Sequence, residues 1–213
     1  MSFIYNLIVF LLLISSIYEF STNSKPNKTW FKTIVVIMIF TAGLAYALSP
    51  DWFPYWRAFE DVAITPFADL KELSDYWDME YGYILLNKFV SSLGLGYATF
   101  TLLIAAIALY LKTQTIYRYG GYVFLAMLMY TVPTYFFKEH VHVRQGLANA
   151  IMFFSIRFII ERKFWKFFLC FVIAFYFHKA VIAFLFAYWI VKIPFNNFMI
   201  ISAVFASILS YVL

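Results

Sequence analysis

The stretch 97–111, YATFTLLIAAIALYL, contains fifteen consecutive residues without a charge, and it decides the class of fold. Runs of this kind recur along the chain, in which 64% of the 213 residues are hydrophobic and 13% are charged. A water-soluble domain carries about a quarter charged residues, and one core of this size could not bury so much apolar surface. The composition therefore predicts a protein of the lipid bilayer. It excludes a disordered chain, a disulfide scaffold and a nucleic-acid-binding domain.

Apolar runs separated by polar residues and helix breakers predict an all-α polytopic membrane protein with about eight transmembrane helices. Several runs are shorter than the roughly 20 residues that span the hydrocarbon core. Residues 1–213 are predicted to form a single polytopic membrane domain. The predicted spans are Phe3–Tyr18, Ile34–Leu48, Tyr97–Leu111, Tyr122–Phe137, Gln145–Ile160, Phe164–Phe177, Val181–Ile193 and Asn197–Leu213.

Basic residues fall in alternate connections between these spans, which predicts that those connections face the cytoplasm. The opposite side then carries an external loop of residues 49–80, with eight of the eleven acidic residues. A short helix over residues 81–93 is predicted to lie at the outer interface, because Leu85 and Phe89 share one face with Tyr81. We therefore expect the functional face outside. The basic residues in question are Lys25, Lys28, Lys32, Lys112, Arg118, Arg162, Lys163, Lys166 and Lys192.

Polar residues gather at the outer end of the fifth predicted span, which opens with Arg144 and Gln145. A guanidinium at a helix N-terminus suits a diphosphate, although an arginine at such a position also commonly reaches to lipid headgroups. A hairpin of the fifth and sixth spans would return His178 and Lys179 to the same surface. An imidazole there could orient a hydroxyl, act as general base, donate to the phosphate, or have a structural role.

His140 and His142 form a His-X-His pair, a spacing that also occurs in metal sites. Further ligands are not evident nearby, and the chain has a single cysteine, Cys170. We therefore expect no metal and no cofactor. His140 is assigned to the polar substrate site instead.

The segment Asp51–Arg57, DWFPYWR, is dense in aromatic residues. Aromatic faces beside carboxylates are typical of sugar-binding clefts, whereas an aromatic belt at the membrane interface predicts the same residues. Glu80 adds a further carboxylate beside the aromatic Tyr81. Asp51 and Glu80 are equal candidates for an acid or base.

Several short motifs follow one another in order between residues 34 and 193. They are Asp51 with Tyr55, Glu80-Tyr81-Gly82-Tyr83, Arg144-Gln145-Gly146-Leu147-Ala148, Glu161-Arg162-Lys163, and Phe177-His178. This order resembles the EpsG-like family of exopolysaccharide and capsule biosynthesis proteins, which are Wzy-type polysaccharide polymerases that include O-antigen polymerases. Relatives are usually longer, so this chain is expected to be truncated at its C-terminus relative to them. Lys179 stands where they often have a small residue.

The resemblance implies a glycosyltransferase of the bacterial cytoplasmic membrane, with its active face outward. It would transfer undecaprenyl-diphosphate-linked oligosaccharide chains onto lipid-linked repeat units. Arg144 would bind the diphosphate, and His178 would assist at the diphosphate or at the acceptor hydroxyl. The remaining substrate contacts would be Asp51, Tyr55, Glu80, Tyr81, Gln145, Lys179 and His140. A chain-length regulator and a flippase of the same pathway are the implied protein partners.

Two other functions stay open on the residues alone. A polysaccharide transporter or flippase component would place polar groups toward the membrane midplane. Here the ionisable and amide groups keep to the helix ends, apart from Asn149 and the cytoplasmic-end Arg157. A membrane O-acyltransferase would need a histidine facing an acyl donor from the cytoplasm, and the predicted topology places His178 on the other side. The sequence does not specify the sugar repeat unit, the linkage or the oligomeric state.

Overall fold

The structure is a computed structural model, and it describes residues 2–23, 26–47, 50–139, 142–192, 196 and 202. Every regular element in these ranges is helical, which confirms the predicted all-α class. The α-helices are α1 Ser2–Thr22, α2 Lys28–Gly43, α3 Trp52–Ile64, α4 Leu70–Tyr76, α5 Tyr81–Ser92, α6 Tyr97–Tyr119, α7 Val123–Tyr130, α8 Val143–Ile160, α9 Phe164–Phe177 and α10 Ala187–Ile190. A π-helix, Thr131–Glu139, follows α7, and 3-10 helices cover Phe67–Asp69 and Lys179–Phe186.

Three helices in the described part of the chain, α1, α6 and α8, are long and apolar enough to cross a membrane. These helices mark the chain as a membrane protein. Shorter apolar helices over Val123–Phe136, Phe164–Phe177 and Lys179–Ile190 coincide with three more predicted spans. The predicted count of eight is not confirmed, because these helices are shorter than a bilayer normally requires. The eighth predicted span, Asn197–Leu213, lies outside the described residues apart from Ser202.

Helix α6 connects the two halves of the core, because two adjacent faces of it belong to two buried clusters. Ile104 and Ala108, one turn apart, pack with α3, α5, α8 and α9. Ala105 and Leu109 pack with α1, α2 and α7. The first cluster supports the charged site described below.

The sequence predicts an external loop over residues 49–80. In the structure, residues 50–80 are instead mostly helical. Helix α3 buries Tyr55, Phe59 and Val62 along one stripe. Pro54 is compatible with this helix because it lies in the first turn, where backbone N–H groups have no partner within the helix.

Helix α5 confirms the predicted helix over residues 81–93, but its polar face points into the protein. Phe89 is 60% exposed, whereas Lys88 is 8% exposed. The Lys88 ammonium donates to the carbonyls of Val62 at 3.2 Å and Ala63 at 3.1 Å. The last carbonyls of a helix lack helical partners and favour a cation. Lys88 therefore caps the C-terminal end of α3, and this contact explains why the polar face of α5 points inward.

Contacts between helix ends place several basic residues on one side of the bundle. Arg118 Nη2 lies 3.4 Å from Glu161 Oε1, and Lys163 Nζ lies 2.7 Å from the other oxygen of Glu161. Lys28 Nζ lies 6.0 Å from the ring centre of Tyr117. The start of α2, the end of α6 and the turn between α8 and α9 therefore share one side.

Lys112 does not lie in a connection, so that part of the predicted charge pattern is wrong. Helix α6 continues past the predicted end of its span to Tyr119. Lys112 is 4% exposed within it, and its ammonium lies 5.3 Å from the ring centre of Tyr130. Contact with an aromatic face is one way in which a buried cation is stabilised.

Candidate functional site

A polar cavity of about 520 Å³ lies where α4, the start of α5, the start of α8 and the end of α9 meet. We call it the Glu80 cavity. Five of the nine residues assigned to the site from the sequence line this cavity. These five are Glu80, Tyr81, Arg144, His178 and Lys179.

Glu80 is the centre of the cavity, because its two carboxylate oxygens contact both residues expected to be catalytic. Oε2 accepts a hydrogen bond from Arg144 Nη1. Oε1 lies 3.2 Å from His178 Nδ1 and accepts from the backbone N–H of Lys179 at 3.3 Å. The Glu80 side chain is 11% exposed, and charge-assisted hydrogen bonds are strong in such surroundings. One carboxylate therefore holds the guanidinium and the imidazole in fixed relative positions.

Two of the three guanidinium nitrogens of Arg144 donate hydrogen bonds to the protein. Its Nη1 also donates to the carbonyl of Asp78 at 3.2 Å, and its Nε donates to the Tyr55 hydroxyl at 3.4 Å. The guanidinium carbon lies 5.4 Å from the ring centre of Tyr55 and 5.9 Å from that of Tyr83, within range of cation–π attraction. Nη2 makes no hydrogen bond with any residue in the described ranges. Its N–H groups are therefore available to an anion.

His178 caps the end of α9 with an extended backbone and a half-buried ring. A carboxylate paired with arginine is ionised and can only accept hydrogen bonds, so Nδ1 carries the proton in its contact with Glu80. In the neutral ring, Nε2 then holds a lone pair and can accept a proton from a ligand.

Gly82 permits the close approach of α5 to the end of α9. A Cβ atom at this position would lie 2.6 Å from the carbonyl oxygen of Tyr176 and 2.8 Å from its Cβ. Tyr176 lies two residues before His178. The absence of a side chain at position 82 therefore helps Glu80 to reach the imidazole.

The substitution Gly82→Ala is expected to force α5 and α9 apart and lengthen the contact between Glu80 and His178. Overpacking of this kind costs about 1–3 kcal/mol. We expect the purified Gly82→Ala protein to unfold at a lower temperature than the unaltered protein, measured by thermal melting. Gly121→Ala is the matched control, because a Cβ there meets no atom within 4 Å. Equal melting temperatures of the two variants would contradict the role of Gly82.

Three of the residues assigned from the sequence, Asp51, Tyr55 and Gln145, are described by the structure but do not line the Glu80 cavity. Asp51 pairs instead with His142, whose Nδ1 lies 3.2 Å from Asp51 Oδ2, at a half-exposed position. Tyr55 is buried and acts through its contact with Arg144. Gln145 is half-buried beside Arg144. His140 lies outside the described residues.

Sequence reasoning missed the contribution of α4. Lys71 and Asp75 form an ion pair one turn apart on this helix and line the cavity. Ser74 donates to the carbonyl of Met79 at 2.6 Å and so fixes the turn that leads to Glu80. The Lys-Asp spacing at i,i+4 is a helical signal that was present in the sequence.

Tyr83 was likewise not assigned to the site, although its ring lies against the Arg144 guanidinium. Burial raises the pKa of the Tyr83 hydroxyl well above its usual value. The side chain therefore stays neutral and adds no charge beside the guanidinium.

The fold and the cavity together define a helical membrane protein with a charged site at one end of its helical bundle. The chain belongs to the EpsG family, whose model matches residues 28–213. This match confirms the resemblance stated from the motifs. At a coarse level, membership indicates a Wzy-type polymerase role in polysaccharide biosynthesis. Searches of curated proteins and of solved structures found no match.

Proposed function

We propose that the protein extends a surface polysaccharide by glycosyl transfer. An undecaprenyl-diphosphate-linked oligosaccharide chain would be transferred onto a lipid-linked repeat unit at the outer face of the bacterial cytoplasmic membrane. The observation that carries this proposal is the Glu80 carboxylate, which holds a guanidinium and an imidazole in one polar cavity. The guanidinium can stabilise a diphosphate leaving group, and the imidazole can deprotonate a hydroxyl nucleophile.

The donor substrate brings a diphosphate, which Arg144 and Lys179 are suited to bind. Arg144 offers its Nη2 group, and the Lys179 ammonium makes no hydrogen bond or ion pair with another described residue. As the bond between the anomeric carbon and the diphosphate oxygen breaks, the electron pair leaves with the lipid diphosphate. The two cations stabilise the charge that develops on it.

The acceptor substrate brings a sugar hydroxyl, which His178 is suited to deprotonate. The hydroxyl oxygen forms the new bond to the anomeric carbon, and its proton passes to Nε2 of the imidazole. Glu80 stabilises the resulting imidazolium through Nδ1. The proton then returns to water.

Charge distribution supports an outward-facing cavity. The 18 residues of α8, about 27 Å at 1.5 Å per residue, separate Arg144 from the turn with Glu161 and Lys163. Basic residues at membrane ends favour the cytoplasmic side. The Glu80 cavity, at the opposite end of α8, is therefore assigned to the outer leaflet.

Deletion of the gene from its source bacterium tests the proposal. We expect long polysaccharide chains to collapse to single lipid-linked repeats and to return when the gene is restored. Gels of surface polysaccharide and of lipid-linked oligosaccharide provide the measurement. An unchanged chain length would overturn the proposal. Repeats trapped on the cytoplasmic side would indicate a flippase component, and loss of acyl groups alone would indicate an O-acyltransferase.

A further inference from the structure

A second cavity, of about 350 Å³, lies against α3 and shares no lining residue with the Glu80 cavity. We call it the aromatic groove. It is bounded by the chain that leaves α2, by α3 and by the start of α6. Its main lining side chains are Tyr46, Trp52, Trp56, Glu60, Tyr97 and Ala98.

Two parallel indole rings form one wall of the aromatic groove. Trp52 and Trp56 lie one helical turn apart, with ring centres 6.1 Å apart and an interplanar angle of 12°. Tyr46 packs against Trp52 at 4.5 Å, and the buried Tyr97 meets Trp52 edge-on at 5.6 Å. Trp56 is 36% exposed. The packing therefore fixes an aromatic face that remains open to a ligand.

Glu60 continues the same helical stripe one turn beyond Trp56. It is exposed, and its carboxylate makes no hydrogen bond or ion pair with another residue of the described ranges. Carboxylate oxygens accept hydrogen bonds from sugar hydroxyls, while aromatic rings stack on the apolar C–H faces of a pyranose. An aromatic belt in the membrane interface needs no carboxylate within its groove.

Helix α3 lines the aromatic groove and also contacts Arg144, through neighbouring residues. Tyr55 contacts Arg144, whereas Trp56 lies about 100° further around the helix and lines the aromatic groove. Helix α3 therefore links the aromatic groove to Arg144, which lines the Glu80 cavity.

We propose that the aromatic groove binds a pyranose residue of the oligosaccharide substrate, separately from the diphosphate in the Glu80 cavity. This inference rests on the proposed function for the identity of the substrate. Trp56 supplies the stacking face, and Glu60 accepts hydrogen bonds from the sugar hydroxyls.

Calorimetric titration of the purified full chain tests the groove directly. The probe is a set of oligosaccharides made by partial hydrolysis of the surface polysaccharide of the source bacterium. We expect Trp56→Ala to bind about tenfold more weakly than the unaltered protein, and Trp56→Phe to retain most of the affinity. Trp165→Ala is the matched control, because Trp165 is 78% exposed and lies at the start of α9, which does not line the groove.

Gly96→Leu tests the groove without removing any aromatic contact. A Cβ at position 96 meets no atom within 4 Å, and the backbone φ is −85°, which any residue adopts. The added side chain would occupy the groove, so we expect a similar loss of affinity in a folded protein. In cells, both variants should produce shorter polysaccharide chains, whereas Arg144→Ala should produce none.

The outcomes separate this inference from the proposed function. Unaltered affinity and unaltered chain length in both Trp56→Ala and Gly96→Leu would overturn the aromatic groove and leave the polymerase proposal standing. Groove-dependent sugar binding, together with normal polysaccharide after gene deletion, would support the groove and overturn the polymerase proposal.

Discussion

Arg144→Ala is expected to abolish polysaccharide chains while the protein remains in the membrane. Removal of one group that stabilises developing negative charge slows a reaction about 100-fold to 1,000-fold. Here the loss also frees the Glu80 carboxylate from its guanidinium partner. The measurement is the initial rate of consumption of lipid-linked repeats in proteoliposomes, normalised to the amount of inserted protein.

Two further variants give the Arg144 experiment its controls. Arg118→Ala removes a 57% exposed arginine at the end of α6, remote from the Glu80 cavity, and should keep full activity. Arg144→Lys retains the charge but lacks the planar fork that contacts Tyr55 and Glu80 together, so it should recover only a small part of the rate. Normal polymer from Arg144→Ala would refute the assigned role.

Glu80→Gln is expected to lower the transfer rate about 100-fold or more, because glutamine has one acceptor oxygen and no charge. Arg144 and His178 would no longer share an anionic partner. Because Glu80 acts in part by orienting His178, Glu80→Gln should slow the His178→Ala variant less than it slows the unaltered protein. The same proteoliposome assay measures all three rates.

Glu72→Gln is the matched control for this cycle, because Glu72 is exposed on α4 and does not line the cavity. A thermal melting curve of each purified variant separates lost chemistry from lost folding. Additive losses in the double variant would contradict action through His178, and a fully active Glu80→Gln would remove Glu80 from the mechanism.

The helical class could be predicted from the sequence, but the helices of residues 49–80 were missed. The dense aromatic and acidic residues of this segment obscured a helical stripe at Tyr55, Phe59 and Val62. Helix α5 was found, although its orientation was not. The preference of Lys88 for the carbonyls at the end of α3 is a tertiary contact, which periodicity does not reveal.

The sequence predicted several residues of the candidate site, but not the contacts between them. Arg144 stood out because Gln145 and Asn149 follow it in the same helix, and a helical hairpin would return His178 to the same surface. Asp51 and Glu80 were equal as acid or base candidates, since spacing along the chain carries no information about distant contacts. The structure distinguishes them, because Glu80 contacts both Arg144 and His178 whereas Asp51 contacts His142.

The Glu80 carboxylate joins segments that leave the ribosome at widely separated times. Arg144 follows it by 64 residues and His178 by 98 residues. Contacts between such distant residues form only after the intervening chain has been inserted and packed. A nascent chain therefore holds a carboxylate without its cation until α8 begins, and without its imidazole until α9 is complete. A chain stopped before the end of α9 lacks the complete candidate site, and we expect it to be inactive.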